Sequence, residues 1–341
     1  MQAIAFPHQL ALDDLSLVDR PVPSPGPHEV VVRILAVSLN YRDLVIARGR
    51  YGAYPLPFTP GSDAAGAVAQ VGPGVTRAAV GDRVCLHYVP DWIDGPPRAE
   101  VAARRLGGTA PGVLATYVCI DERAVVRAPA HLTAIEASTL PIAGVTAWQA
   151  LIADGGLRPG DTVAVSGTGG VSLFVVQVAR LAGARAIVVG RDPVRLARVA
   201  AMGAIAIAAE GDWAARVRDA SAGGVDLFVD VVGGDALARS IAATRVGGTV
   251  AAVGFVTGTA ATVDLLEMIR RTVTVRAASG GSRASFEALV RALEVADVHP
   301  VVDRVFGFSA AEVRAAYAHL ADGRPFGKIV IDLAPGLGGA S

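Results

Sequence analysis

Asp161-Thr-Val-Ala-Val-Ser-Gly-Thr-Gly-Gly-Val-Ser-Leu-Phe-Val-Val-Gln-Val-Ala-Arg180 is the stretch whose reading decides the fold. Thr162 to Ser166 is a short β-branched run, residues 167–170 read Gly-Thr-Gly-Gly, and apolar residues then recur at helical spacing until Gly183. Strand, tight turn and helix follow one another without a spacer. That order is the mononucleotide-binding half of a doubly wound sheet. Backbone N–H groups of the turn and the positive end of the helix dipole face a bound pyrophosphate there, and a side chain on the turn would block its approach. Gly167, Thr168, Gly169, Gly170 and Val171 are the expected contacts. Ser172 replaces the third glycine of G-x-G-x-x-G but is small enough for close helix–strand packing. A glycine pattern is a weak signal alone; here a second strand, Ala186–Gly190, arrives at the expected distance.

Working outward, strand patterns at 162–166, 186–190, 205–208, 226–231, 249–253 and 272–277 alternate with helical ones, which predicts six parallel strands of a complete α/β sheet. Upstream, short strands at Gln2–Phe6, Glu29–Val37, Ala65–Val71, Arg83–Tyr88 and Ala115–Ile120 are separated by Pro- and Gly-rich pieces, which predicts a mostly antiparallel β domain. Residues 91–112 read as a long surface loop of the kind that borders an active site. After the last parallel strand come a helix over 285–295, strand-like 301–306, a helix over 309–321 and strand-like 328–331. This tail is too short for a third domain and is expected to complete the first one, leaving the nucleotide domain as an insertion.

A length of 341 residues suits two domains. Lys+Arg and Asp+Glu are each 31, so no net field favours nucleic acid or an anionic membrane. The uncharged windows 162–179 and 246–263 reach the length of a membrane span, but glycines interrupt both in strand-turn patterns, so they read as buried parallel strands. The start, Met-Gln-Ala-Ile-Ala-Phe-Pro-His, has neither a basic region nor a long apolar run, and the expected location is cytoplasmic. Cys85 and Cys119 lie in apolar strand-like segments and read as buried free thiols.

The cofactor preference is written at the end of the second parallel strand, where NAD enzymes place an acid on the ribose hydroxyls. Here stand Gly190 and Arg191. Glycine leaves room for a 2′-phosphate, and Arg191, with Arg195, can bind it through charge-assisted hydrogen bonds, so NADPH is expected. Asp192 precedes Pro193 and reads as a helix N-cap committed to backbone N–H groups. Gly254-Phe255 and Gly280 follow the fifth and sixth strands, at the strand ends where such folds bind ligands.

Ser38-Leu-Asn-Tyr-Arg-Asp43, Pro60-Gly-Ser-Asp-Ala-Ala-Gly66, Val80-Gly-Asp-Arg-Val84, Gly144-Val-Thr-Ala-Trp148, the glycine turn and Phe326-Gly-Lys-Ile-Val330 occur in this order along nearly the whole chain. In these motifs the sequence resembles the medium-chain dehydrogenase/reductase superfamily, and looks closest to its zinc-independent, quinone oxidoreductase-like branch. The resemblance implies a GroES-like catalytic domain, assigned to 1–124 and 278–341, around a Rossmann domain over 125–277. It also implies hydride transfer from a nicotinamide, and a homodimer, here through the edge strand Thr272–Ala277. Thr146 stands where family members touch the nicotinamide. Lys328 is placed either at the ribose or phosphate of the cofactor or as a solvated edge-strand lysine.

Zinc enzymes of this superfamily hold catalytic metal with Cys, His and Cys; the matching positions here are Asn40, Ser62 and Ile142. An amide, a hydroxyl and an alkyl group do not hold Zn²⁺ tightly, and Asp63 adds only one carboxylate, so no metal is expected. Charge on the substrate must then be stabilised otherwise. Asn40, Tyr41 and Tyr51 are the candidate catalytic donors, with Arg42 or Arg50 able to reach an anion, and Asp43 reads as a helix cap or an arginine partner. The function expected is reduction of an α,β-unsaturated carbonyl compound or a quinone by NADPH. A metal-free alcohol dehydrogenase or carbonyl reductase is the alternative, and a non-catalytic nucleotide-binding or RNA-binding protein a third that the missing basic cluster disfavours.

Overall fold

The computed structural model describes residues 1–323 and 325–334. The chain divides into two compact units, one of Met1–Val145 with the chain from Gly280 on, the other Thr146–Ser279.

In the first unit, β1 (Gln2–Ala5) and β2 (Ser16–Asp19) form an antiparallel pair. The main sheet is built on β3 (Glu29–Leu39), whose eleven residues span both β4 (Asp63–Val71) and β6 (Tyr117–Asp121) as antiparallel neighbours. β5 (Arg83–Leu86) carries the sheet from β4 to β7 (Val125–Arg127). The first unit thus runs on to Val145 rather than ending at 124: the change of period near Ala124 precedes β7, a Val-Val-Arg strand that belongs to this sheet.

The second unit holds β8 (Thr162–Ser166), β9 (Arg185–Gly190), β10 (Ile205–Ala208), β11 (Val225–Asp230), β12 (Thr244–Ala252) and β13 (Thr274–Ala277), all parallel. Their order is β10-β9-β8-β11-β12-β13, so the chain reverses its direction of winding at β8, beside the glycine turn. Every residue of β8 is buried, which is why it reads as an uninterrupted apolar run rather than an alternating one. Asp192 caps the helix Pro193–Ala201 by accepting from Val194 N and Arg195 N, as its position before proline predicts. β13 lies at the sheet edge and starts at Thr274, because Thr272 is the left-handed cap (φ 48°) of the helix Leu265–Arg271.

The chain then returns to the first unit. β14 (Val302–Gly307) pairs in parallel with β15 (Lys328–Asp332), and β15 pairs antiparallel with β3. The tail therefore completes the first sheet, and β15 is an interior strand, not an edge. Leu39, Leu44, Phe58, Leu114, Tyr317 and Ile329 share the apolar core around this sheet. Among the described residues, no helix is long and apolar enough to cross a membrane. Cys85 is buried, with its thiol donating to Ala137 O (3.4 Å) and pushed up by burial.

Candidate active site

The nucleotide cradle lies in the second unit. β8 ends at Ser166, Gly167 turns with φ 81°, and Gly169 is the N-cap of the helix Gly170–Leu181. A Cβ placed on Gly169 would meet nothing within 4 Å, so the turn presents bare backbone and an uncapped helix N-terminus to open space. Ser172 is buried and donates to Ser166 O (2.9 Å), tying the first turn of the helix to the last carbonyl of the strand. These residues fit a dinucleotide pyrophosphate. Asp230, at the end of β11, organises the neighbouring turn: its Oδ1 accepts from Val232 N (2.9 Å) and Gly233 N (3.0 Å), and Ser240 Oγ reaches its Oδ2 (3.2 Å). Gly254 packs directly on that turn, since a Cβ there would lie 1.8 Å from Val231 O. Thr146, first residue of this unit, is buried, and Phe255 is half-buried.

At the end of β9, Gly190 is buried and Arg191 exposed. A Cβ on Gly190 would come within 3.0 Å of Leu196 Cδ2 and 3.6 Å of Thr168 Cγ2, so this strand end is sterically closed to a larger residue unless Leu196 moves. Arg195 turns its Nε to Asp192 Oδ2 (3.3 Å).

The first unit gathers a second group of polar side chains. β3 ends at Leu39, and Asn40 caps the helix Tyr41–Ala47, its N–H donating to Asp43 Oδ2 (2.8 Å). The Asn40 side chain is committed: Nδ2 donates to Asp63 Oδ2 (2.9 Å), while Oδ1 accepts from Lys328 Nζ (2.6 Å). Lys328 is 4% exposed, donates also to Leu39 O (2.8 Å) and stands 3.5 Å from Asp63 Oδ2. The solvated edge-strand reading of Lys328 is thus incorrect, because β15 is covered on both sides, and its ammonium is held by first-unit groups. Burial pushes the Asp63 carboxyl up to about 7, although Lys328, the Asn40 amide and the Ile142 backbone N–H pull it down. Burial lowers Lys328 against the pull of Asp63 and Asp43.

Beside this trio, Arg42 Nη1 donates to Ser62 Oγ and to Leu106 O (3.0 Å), and Ser62 Oγ donates to Asp43 Oδ1 (2.6 Å). Arg42 and Asp43 also form a buried ion pair (3.4 Å), so Asp43 both satisfies the cap and balances an arginine. The guanidinium lies 4.9 Å from the Tyr88 ring centroid and 5.7 Å from that of Tyr51. Gly108 makes room for it, since a Cβ there would sit 2.6 Å from Arg42 Nη2. The segment 91–112 is thus more than a surface loop: it supplies a carbonyl to Arg42 and a glycine beside it, and Trp92 packs with Tyr88 and Val89 against Ile142. Burial raises the Tyr88 hydroxyl against the pull of Arg42 and Arg105, so it is a neutral donor at neutral pH. Tyr51 is 37% exposed, Tyr41 packs on the core, and Gly280 (φ 76°) lies against Tyr88.

A catalytic zinc does not fit this donor set. The Asn40 carbonyl faces an ammonium, the Ser62 hydroxyl is held between a guanidinium and a carboxylate, and Ile142 offers only alkyl carbon. Two buried cations, Arg42 and Lys328, stand among the matching positions and would repel another.

Comparison with known proteins accords with this architecture. Residues 26–130 match the alcohol dehydrogenase GroES-like domain and residues 170–295 the zinc-binding dehydrogenase family. A zinc-type alcohol dehydrogenase-like protein of Schizosaccharomyces pombe is 35% identical over 319 residues, covering 90% of this chain and 92% of its own length. This chain belongs to the medium-chain dehydrogenase/reductase superfamily. Among solved members, an alcohol dehydrogenase-type protein of Sinorhizobium meliloti 1021 superposes with a TM-score of 0.90 at 41% identity, covering 97% of this chain and 98% of its own. An NAD-dependent alcohol dehydrogenase superposes at 0.88 with 31% identity, covering 98% of this chain and all of its own.

Sequence reasoning brought Asn40, Arg42, Asp43, Ser62 and Asp63 into view and offered Asp43 as a cap or an arginine partner, but it did not pair Asn40 with Asp63 or Ser62 with Asp43. It did not single out Tyr88 by name, and it missed Asp230. The signal for Asp230 was present: one acid closes the otherwise apolar end of a central strand, Leu227-Phe-Val-Asp230.

Proposed function

We infer that this oxidoreductase is an NADPH-dependent, metal-free reductase that delivers hydride to an α,β-unsaturated carbonyl compound or a quinone. The observation that carries it is the pair of buried cations, Arg42 and Lys328, hydrogen-bonded to the very side chains that replace metal ligands. A bound nicotinamide supplies the hydride. The chain must stabilise the negative charge that conjugation moves to a distant oxygen, a task hydrogen-bond donors perform without a metal. With the Asn40 amide engaged by Asp63 and Lys328, this role falls to Tyr51 and the neutral Tyr88 hydroxyl, whose rings flank Arg42.

Exposed Arg191 after a glycine strand end supports NADPH, through a charge-assisted contact to the 2′-phosphate. The edge position of β13, with exposed Leu265, Leu266 and Ile269 on the preceding helix, supports a homodimer. A metal-free alcohol dehydrogenase is the second reading, favoured by the names of the relatives above. Oxidation of NADPH and NADH measured against quinones, enones, enoyl thioesters and simple aldehydes separates the two. Turnover of aldehydes alone would discard the conjugated-substrate reading.

A further inference from the structure

Away from the groups discussed so far, the first unit brings two histidines and two acids together where the loop after β7 meets the end of the helix Arg283–Ala296. A ring nitrogen of His131, a ring nitrogen of His299 and a carboxylate oxygen of Asp297 lie within 4.8 Å of one another. The two imidazoles meet edge to face, with centroids 5.2 Å apart. His299 Nδ1 is 2.7 Å from Glu136 Oε1, and its Nε2 is 3.8 Å from Asp297 Oδ1. Glu136 is itself fixed, since its Oε2 accepts from Thr133 N (2.9 Å) and Thr133 Oγ1 (2.8 Å) in a helix capping box. His131 Nε2 is 3.1 Å from Val298 O, which sets the ring's orientation, and its Nδ1 is buried with no hydrogen-bond partner among the described residues.

We propose that His131, Asp297 and His299 form a binding site for a divalent first-row transition metal, with Glu136 as the outer carboxylate that orients His299. Two imidazoles and a carboxylate are a donor set that Zn²⁺ and its neighbours take readily, and a carboxylate behind a ligating histidine fixes its tautomer and raises its basicity. Metal–ligand bonds of about 2.0–2.1 Å in a tetrahedron place ligand atoms roughly 3.3 Å apart, so the three groups must close by up to about 1.5 Å. The two that must move can do so: the Asp297 side chain is 80% exposed and that of His299 50%. A water completes the tetrahedron. This inference does not rest on the hydride-transfer reading, and none of its residues belongs to the catalytic group.

The test is titration of the whole chain, freed of metal with a chelator, with ZnCl₂ by calorimetry and with CoCl₂ by visible absorption. Wild type binds one equivalent per chain, and Co²⁺ develops the intense bands of a tetrahedral site. Glu136→Gln weakens binding by about 10–100-fold, the usual effect of losing an outer carboxylate, and His131→Ala or His299→Ala weakens it further. Asp297→Asn, at an exposed position whose left-handed backbone (φ 51°) asparagine tolerates well, keeps the question answerable if a histidine variant folds poorly. His319→Ala, removing a histidine bonded to Asp303 (2.7 Å), leaves binding unchanged. Failure of wild type to bind either metal, or unaltered isotherms in His299→Ala and Asp297→Asn, would overturn the proposal and leave His299 as a cation bridging Glu136 and Asp297.

Discussion

Replacing Asp63 by asparagine removes a pH dependence of stability that the buried trio imposes. In the folded chain the Asp63 carboxyl is raised to about 7, chiefly by burial, while an unfolded aspartate titrates near 3.9. A carboxyl raised on folding contributes stability that is complete below the unfolded value and is lost as pH climbs through the folded one, because the folded chain keeps a proton that the unfolded chain has released. Each pH unit between the two values corresponds to about 1.4 kcal/mol, so the loss from about pH 5 to pH 7 comes to roughly 2 kcal/mol. Asparagine resembles the protonated carboxyl in shape and does not titrate. Denaturant unfolding of the nucleotide-free wild type and Asp63→Asn across this range should show the variant gaining about 2 kcal/mol on the wild type toward neutral pH. His87, held neutral by burial at about 4, and His299, raised chiefly by its hydrogen bond to Glu136, titrate in both proteins and cancel in the difference. Parallel curves for the two proteins would refute the reasoning, since Asp63 would then be ionised throughout and paired with Lys328 as an ordinary salt bridge.

Prolonged treatment with a strong zinc chelator should leave reductase activity intact, even if it strips the surface metal proposed at His299; loss of activity restored by zinc would sink the metal-free mechanism. Arg191→Ala should lower kcat/KM for NADPH by about 10–100-fold and leave NADH nearly unaffected, the worth of a charge-assisted hydrogen bond. This variant is preferable to an acid at Gly190, whose Cβ would lie 3.0 Å from Leu196, and an equal loss with both cofactors would show that Arg191 does not read the phosphate. Light scattering at micromolar concentration should give a dimer mass for the wild type and a monomer mass for Leu266→Lys/Ile269→Lys, positions 54% and 69% exposed in the single chain; a monomeric wild type would remove the edge-strand interface.

What the sequence determined by itself is everything that rests on local chemistry. Period and glycine placement around Gly167–Gly170 decide strand, turn and helix, because each depends on residues within a few positions. Asp192-Pro193 announces its helix start for the same reason, and the six parallel strands follow from six similar local patterns. Asn40, Ser62 and Ile142 stand, on the resemblance, where zinc enzymes of the superfamily carry metal ligands, and their poor donor chemistry was legible because it belongs to the residue type. Tertiary structure alone decided the partners. Lys328 meets Asn40 only because β15 returns to pair with β3, and that pairing is what rules out a solvated edge-strand lysine. Arg42 finds Leu106 O and Gly108 in the same way, across a loop whose sequence shows only irregularity. The long-range pairs that set charge, burial and hydrogen bonding join residues far apart in sequence. No local propensity encodes them, because their energy arises only when the sheet closes and water leaves.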